Sequence, residues 1–243
     1  MKVKIIKETD SYLLVWKEAN LPTTPTKENP ECLISKIISD RPELKQVQGY
    51  QSAEYGLLNR LDTRTAGVII IAKSQNSFDV LSQELKLEAF VKVYLAYCYN
   101  LGSKRKGIIN TPIAHHPTKK TRMVLVRKGT KFRGKPQDCE TQFEKITTER
   151  ALNRWKSFLD NKISFPSLPN EKSTTWILCH ITKGKRHQIR LHLKSINYPI
   201  VGDALYKAKT KIKRFELPHH ALYAIGIVRK KKESDKEDKF SMH

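Results

Sequence analysis

Residues 66–73 read AGVIIIAK, an unbroken run of small and β-branched side chains. Such a run has no polar face to offer water, so it fits a strand covered on both sides. Whatever this chain folds into must enclose that strand. The stretch leading into it, LNRLDTRTAG (58–67), sets one carboxylate, Asp62, between Arg60 and Arg64 at the strand's mouth. Locally two readings fit. Asp62 caps a turn over Thr63–Gly67, ordinary work for an aspartate before a glycine. Or it is a reactive carboxylate on a rigid mount.

The rest of the chain builds around further short strands. VKIIKE (3–8) and YLLVWK (12–17) flank Thr9-Asp10-Ser11 as a strand–turn–strand pair. LPTTP (21–25) cannot be helical and reads as extended loop. Leu33, Ile34, Ile37 and Ile38 recur at helical spacing within 30–39. Ser74 is a helix N-cap ahead of Phe78, Leu81 and Leu85. VKVYLAYCY (91–99) alternates as a strand, and RMVLV (122–126), ETQFEKIT (140–147), TTWILCHIT (174–182) and HALYAIGIV (220–228) read as strands too. The stretch 103–121 reads as loop. Residues 150–172 start helix-like and end in a Pro-containing loop. Gly184 breaks the strand before it, and Ile189, Leu193 and Ile196 mark a helical face. The expectation is α+β: a mixed, largely antiparallel sheet with flanking helices and loops. Residues 1–229 are expected to form one domain, with 230–243 a charged C-terminal tail.

The chain has 243 residues, 46 Lys or Arg and 24 Asp or Glu, a formal charge of +22. The cations cluster at KGTKFRGK (128–135), KGKR (183–186), KAKTKIKR (207–214) and RKKK (229–232). A folded domain this positive draws polyanions, nucleic acid first among them. Cys32, Cys98, Cys139 and Cys179 are too far apart for a zinc ribbon. Cys98 and Cys179 read as core residues of a reducing compartment. His187 and His192, five apart, face different ways on a helix, so no metal site is expected. No apolar run nears the ~20 residues of a membrane span, and MKVKIIKETD lacks a signal-peptide core. A cytoplasmic monomer without membrane contact is expected.

Three ordered segments carry a resemblance. NRLDTRTAGVIIIAKS (59–74) resembles the HRLD-x-x-T-SG signature of the RluA family of pseudouridine synthases. KVYLAY (92–97) is similar to the family's Lys-x-Tyr-x-Ala strand, and KGKRHQIRLHLKSINYPIVGDALY (183–206) resembles its HQIRVHL segment. YLLVWKEANLPTTP (12–25) and RGKPQDCETQFE (133–144) match more weakly. Asn59 and Ala66 stand where the family has His and Ser, Lys183 and Lys185 replace Thr and Arg, and Trp16 and Glu18 flank Lys17 in place of Asn and Pro. The resemblance is to short members, and no N-terminal S4 module is expected.

The resemblance implies a pseudouridine synthase catalytic fold with a basic RNA-binding cleft. It implies isomerisation of uridine to pseudouridine in structured RNA, either ribosomal (large-subunit rRNA first) or tRNA. No atoms are gained, so no cofactor is implied. Asp62 is the catalytic carboxylate, attacking the ribose or abstracting a proton from it; both routes stay open. Arg190 of HQIR pairs with that acid; by itself it is a surface arginine on an amphipathic helix. Tyr94 stacks on uracil or helps deprotonate it; by itself it is an ordinary strand tyrosine. Arg60 assists flipping of the base or bridges a neighbouring acid. Arg64, Lys92, Lys185, Arg186, His187 and Gln188 are the further RNA-contact candidates, with His187 and Gln188 alternatively orienting their turn. Asp203 reads as a turn-capping acid. The rival function is a non-catalytic RNA-binding or ribosome-assembly protein with the same fold.

Overall fold

A computed structural model describes residues 3–26, 30–169, 171–207 and 215–230. Its elements are β1 (Lys4–Glu8), β2 (Tyr12–Lys17), α1 (Leu33–Asp40), a 3-10 turn (Pro42–Gln46), β3 (Ala66–Ala72), α2 (Gln75–Lys86), β4 (Phe90–Tyr99), β5 (Lys106–Ile109), β6 (Ile113–His115), β7 (Met123–Leu125), β8 (Arg133–Gln137), β9 (Thr141–Ile146), α3 (Thr148–Leu159), β10 (Thr174–Ile181), α4 (Gln188–Ser195) and β11 (Leu222–Arg229). They form an α+β structure in two compact units. Unit 1 is the described part of Met1–Val91, Ser157–Ile163 and Ala224–His243; unit 2 is the described part of Lys92–Lys156 and Ser164–Tyr223. The charged tail expected at 230–243, beyond Lys230, and the cluster 208–214 lie outside the described residues. No helix among the described residues is long and apolar enough to cross a membrane.

In unit 1, β3 is the strand that the sequence demanded. All seven of its residues are buried. It pairs antiparallel with β2 from Tyr12↔Ala72 to Lys17↔Gly67, and β2 pairs antiparallel with β1. Ile69 and Ile71 pack with Leu13, Val15, Leu33, Ile34 and Ile37, so α1 covers this face with the stripe its spacing foretold. Each fully buried aliphatic side chain here contributes about 1.5–3 kcal/mol. Cys32 caps α1: its Sγ accepts from the Ser35 N–H (3.4 Å) while Ser35 Oγ accepts from the Cys32 N–H (3.0 Å). Ser74 caps α2 by accepting from the Ser77 N–H at 3.2 Å. Of the expected α2 stripe only Phe78 is fully buried; Leu81 and Leu85 are half-buried. Gly67 is required where it stands. Its φ is +149°, and a Cβ there would lie 2.5 Å from the Ala224 carbonyl oxygen.

Unit 2 holds an antiparallel sheet in which β10 lies between β4 and β9, and β9 pairs with β5. A second sheet of three short strands runs in the order β7-β6-β8. The stretch 103–121 is therefore not all loop: it contains β5 and β6. These strands are four and three residues long, below the length at which alternation shows. The stretch 150–172 begins as α3, and its Trp155 is buried edge-on against Phe165 and Tyr223 at 5.5 and 5.4 Å between centroids.

Candidate active site

The Asp62 loop is braced from several sides within unit 1. Leu58 N–H donates to the Ile70 carbonyl (3.0 Å), and Leu57 bridges Ile71. Asn59 takes the position of the family's histidine and clips the loop to β3. Its Oδ1 accepts from the Ile70 N–H at 2.8 Å, and its Nδ2 donates to the Val68 carbonyl at 3.4 Å. Thr23 Oγ1 donates to the Leu61 carbonyl (3.0 Å) and accepts from the Leu61 N–H (3.3 Å). The Thr65 N–H donates to the Asp62 carbonyl at 2.9 Å, closing a tight turn at residues 62–65.

Lys17 is the residue the sequence reading did not single out. It ends β2 and is wholly buried. Its Nζ donates to the carbonyls of Glu18 (3.0 Å), Leu21 (2.8 Å) and Thr63 (3.0 Å). Three acceptors match the three protons of an ammonium, so Lys17 ties the LPTTP loop to the residue after Asp62. Burial pulls this ammonium down and the charges of Asp62 and Glu18 oppose it, leaving it at about 7. The advance signals were a lysine inside an apolar strand, YLLVWK, and its place in the weakly matching 12–25 stretch.

Asp62 and Arg64 are half-buried and Arg60 is exposed. Arg60 Nη1 lies 3.3 Å from Glu54 Oε1, and Glu54 itself is buried. Arg60 thus bridges a neighbouring acid, Glu54.

The other candidates lie in unit 2. Tyr94 is buried in β4 opposite Cys179, two residues after Lys92. Lys92 sits opposite Ile181, and its Nζ would be 3.8 Å from a Cβ on Gly184, so it reaches the KGKR turn. Burial lowers its proton affinity. Lys185 is half-buried and Arg186 exposed on that turn.

His187 is the N-cap of α4 in the left-handed region, φ 58°. Its Nδ1 shares a 2.7 Å hydrogen bond with Tyr206 Oη. Gln188 is buried: its Oε1 accepts from the Lys185 N–H (2.9 Å), and its Nε2 donates to the Glu140 carbonyl (2.8 Å) and Thr141 Oγ1 (3.1 Å). Of the two readings for His187 and Gln188, this geometry matches the orienting of their turn. His192 donates from Nε2 to the Thr111 carbonyl (2.9 Å), so its Nδ1 accepts from Thr141 Oγ1 (2.9 Å). No group of three or more His, Cys, Asp or Glu is placed to hold a metal ion among the described residues.

Arg190 is buried on α4. Its Nε donates to Asp203 Oδ2 at 2.7 Å and its Nη2 to Oδ1 at 2.9 Å, while its guanidinium lies 5.0 Å from the Tyr206 ring centroid. This is a planar two-point ion pair stacked on an aromatic face. Asp203 also caps its turn, Oδ1 accepting from the Leu205 and Tyr206 N–H groups at 2.9 and 3.0 Å. Burial alone would raise the Asp203 carboxyl, but the Arg190 hydrogen bond and charge, with His220, carry it below its usual range. Turn cap and arginine partner are one carboxylate, a double role the sequence reading missed.

Comparison with known proteins shows the family. A family model described as RNA pseudouridylate synthase matches residues 11–195. The ribosomal large subunit pseudouridine synthase D of Nitrosomonas europaea is 28% identical over 229 residues, covering 91% of this chain and 56% of that protein. An uncharacterized RNA pseudouridine synthase of Synechocystis is 26% identical, covering 90% and 59%. The chain thus spans somewhat over half the length of these relatives. Two solved human structures share its fold. RNA Pseudouridylate Synthase Domain Containing 1 has TM-score 0.65 and 16% identity, covering 94% of this chain and 78% of that one. Domain Containing 4 has TM-score 0.61 and 17% identity, covering 93% and 84%. The family model spans all three motif segments up to Ser195, with Asp62, Tyr94 and Arg190 inside it, and the chain belongs to the RNA pseudouridylate synthase family.

Proposed function

We propose that this chain converts uridine to pseudouridine in structured RNA, with Asp62 as the catalytic carboxylate. The reaction breaks the bond from ribose C1′ to uracil N1, turns the base, and joins C1′ to C5; the C5 proton is lost and N1 takes up a proton, so the atoms balance. Nothing is added overall, so the protein's own groups carry the chemistry. Asp62 either forms a bond to C1′ or takes a ribose proton, and both routes need an ionised carboxylate. Tyr94 and Arg190 take the roles the resemblance gives them, at the base and in service of the acid. Arg60, exposed beside Asp62, is released from Glu54 to occupy the space of a flipped base. The target is a uridine in rRNA, the large subunit first, or in tRNA. The observation that carries this reading is the Asp62 loop itself. A single carboxylate sits on a loop fixed to the buried strand β3 by Asn59, to the LPTTP loop by Thr23 and to the end of β2 by Lys17, within a chain of this family.

Mapping pseudouridines in total RNA from cells with and without the gene tests it. At least one site is expected to vanish on deletion and return with the wild-type gene but not with one encoding Asp62→Asn. Restoration by both genes, or no change on deletion, favours a non-catalytic RNA-binding protein.

A further inference from the structure

Between Glu88 and Asp138 the chain carries no acid and twelve Lys or Arg. The second half of this stretch folds as the small sheet β7-β6-β8 of unit 2. One side of that sheet is anchored: Ile113 and Met123 pack with Cys139, Leu191 and Tyr206, and the Met123 N–H donates to Tyr206 Oη at 2.9 Å. From β7 the chain runs VRKGTKF (126–132) into β8. The Thr130 N–H donates to the Arg127 carbonyl at 2.9 Å, and the Arg127 N–H to Thr130 Oγ1 at 3.1 Å, making a tight turn. Gly129 takes φ +79° at its tip, and a Cβ there would meet nothing within 4 Å. The tip of the turn faces open space.

Arg127, Lys128, Lys131, Arg133 and Lys135 are all exposed, and Phe132 among them keeps 38% of its surface in water. A lone exposed apolar residue needs no explanation. This one differs in its company. Among the described residues none of these five cations is ion-paired, whereas Arg41, Lys73 and Arg150 elsewhere on the surface all meet carboxylates. Five unneutralised like charges around one turn repel each other, and a polyanion relieves that repulsion. An aromatic ring set among them offers what single-stranded nucleic acid uses, a face for a base to stack on. Paired bases inside an RNA helix cannot reach such a ring; unpaired ones can.

We infer that the 126–135 turn is a second RNA contact that holds an unpaired nucleotide. The base stacks on Phe132, and the flanking phosphates lie on Lys131, Arg133 and Lys135. The inference deepens the proposed function and rests on its RNA substrate: recognition then includes an unpaired base other than the uridine that reacts.

The test uses the full chain, a labelled RNA stem-loop and a blunt RNA duplex with the same number of phosphates. Phe132→Ala is expected to weaken stem-loop binding about tenfold or more, the scale of one lost base stack, and to leave duplex binding within about twofold. Phe132→Trp is expected to keep stem-loop affinity. Because Trp16, Trp155 and Trp176 are buried at 4%, 2% and 2% exposure, that variant adds a solvent-facing indole. Its emission should be quenched by the stem-loop and not by the duplex. Replacing Lys131, Arg133 and Lys135 with alanine should weaken both RNAs and lower the salt slope by about 2. Equal losses on both RNAs from Phe132→Ala, no loss on either, or no selective quenching overturns the inference. A wild-type protein that binds neither RNA overturns the proposed function with it; wild-type binding that Phe132→Ala leaves intact overturns the inference alone.

Discussion

Two buried cations in this protein are held in opposite ways. Lys17, in unit 1, is surrounded by neutral main-chain oxygens of Glu18, Leu21 and Thr63. Arg190, in unit 2, is fixed to the carboxylate of Asp203 and stacked on Tyr206. Carbonyls satisfy an ammonium's donors but not its charge, so burial draws Lys17 down to about 7. A carboxylate neutralises the guanidinium, and there it is the acid whose proton affinity falls. The loop bearing Asp62 is therefore mounted on a lysine that burial draws toward neutrality, while a guanidinium is charged at any physiological pH. A sequence shows two basic residues in motif positions; only their surroundings show which is a fixed charge.

The contrast can be broken first at its stronger end. Asp203→Asn removes a charge partner of a buried arginine and is expected to destabilise the protein by about 3–5 kcal/mol in urea unfolding. A loss below about 1 kcal/mol would mean that the Asp203 ion pair is not what holds Arg190. The same pairing makes a wild-type contribution that is present above the unfolded carboxyl's value of 3.8 and is lost as pH falls through the lower folded value.

The weaker end is sharpened by Lys17→Met. Lys17 has a folded value of about 7 against 10.5 for a free lysine. Between these limits the unfolded chain binds more protons, so this group makes stability rise with pH across that window and contributes no slope below it. Lys17→Met should remove that rise, at most about 1.4 kcal/mol per pH unit. Identical pH slopes in both proteins would show that Lys17 keeps its proton and that the carbonyl cage is no weaker than the carboxylate clamp.

The elements with strong periodicity were legible in the sequence. The β-branched run gave β3, the Leu33–Ile38 stripe gave α1, and Ser74 marked the start of α2. The short polar strands were not. β8 reads RGKPQ, with an imino acid and a glycine, and is exposed along most of its length; it exists because β6 pairs with it, through Ile113↔Gln137 and His115↔Arg133. Of the site, the motif positions of Asp62, Tyr94 and Arg190 could be read, but their supports could not. Lys17 is bonded to a residue 46 positions away and Asn59 to one 11 away. Glu54 and Asp203 are acids whose partners depend on how the chain turns. Local sequence reports which groups are present; the fold decides which of them meet.

The central claim is that Asp62 is the reacting carboxylate rather than a turn cap. Single-turnover pseudouridine formation by Asp62→Asn, on RNA carrying a uridine that the wild-type protein modifies, tests it most directly. The account predicts RNA binding within about twofold of wild type and no pseudouridine. Pseudouridine formed at the wild-type rate would return Asp62 to a structural role.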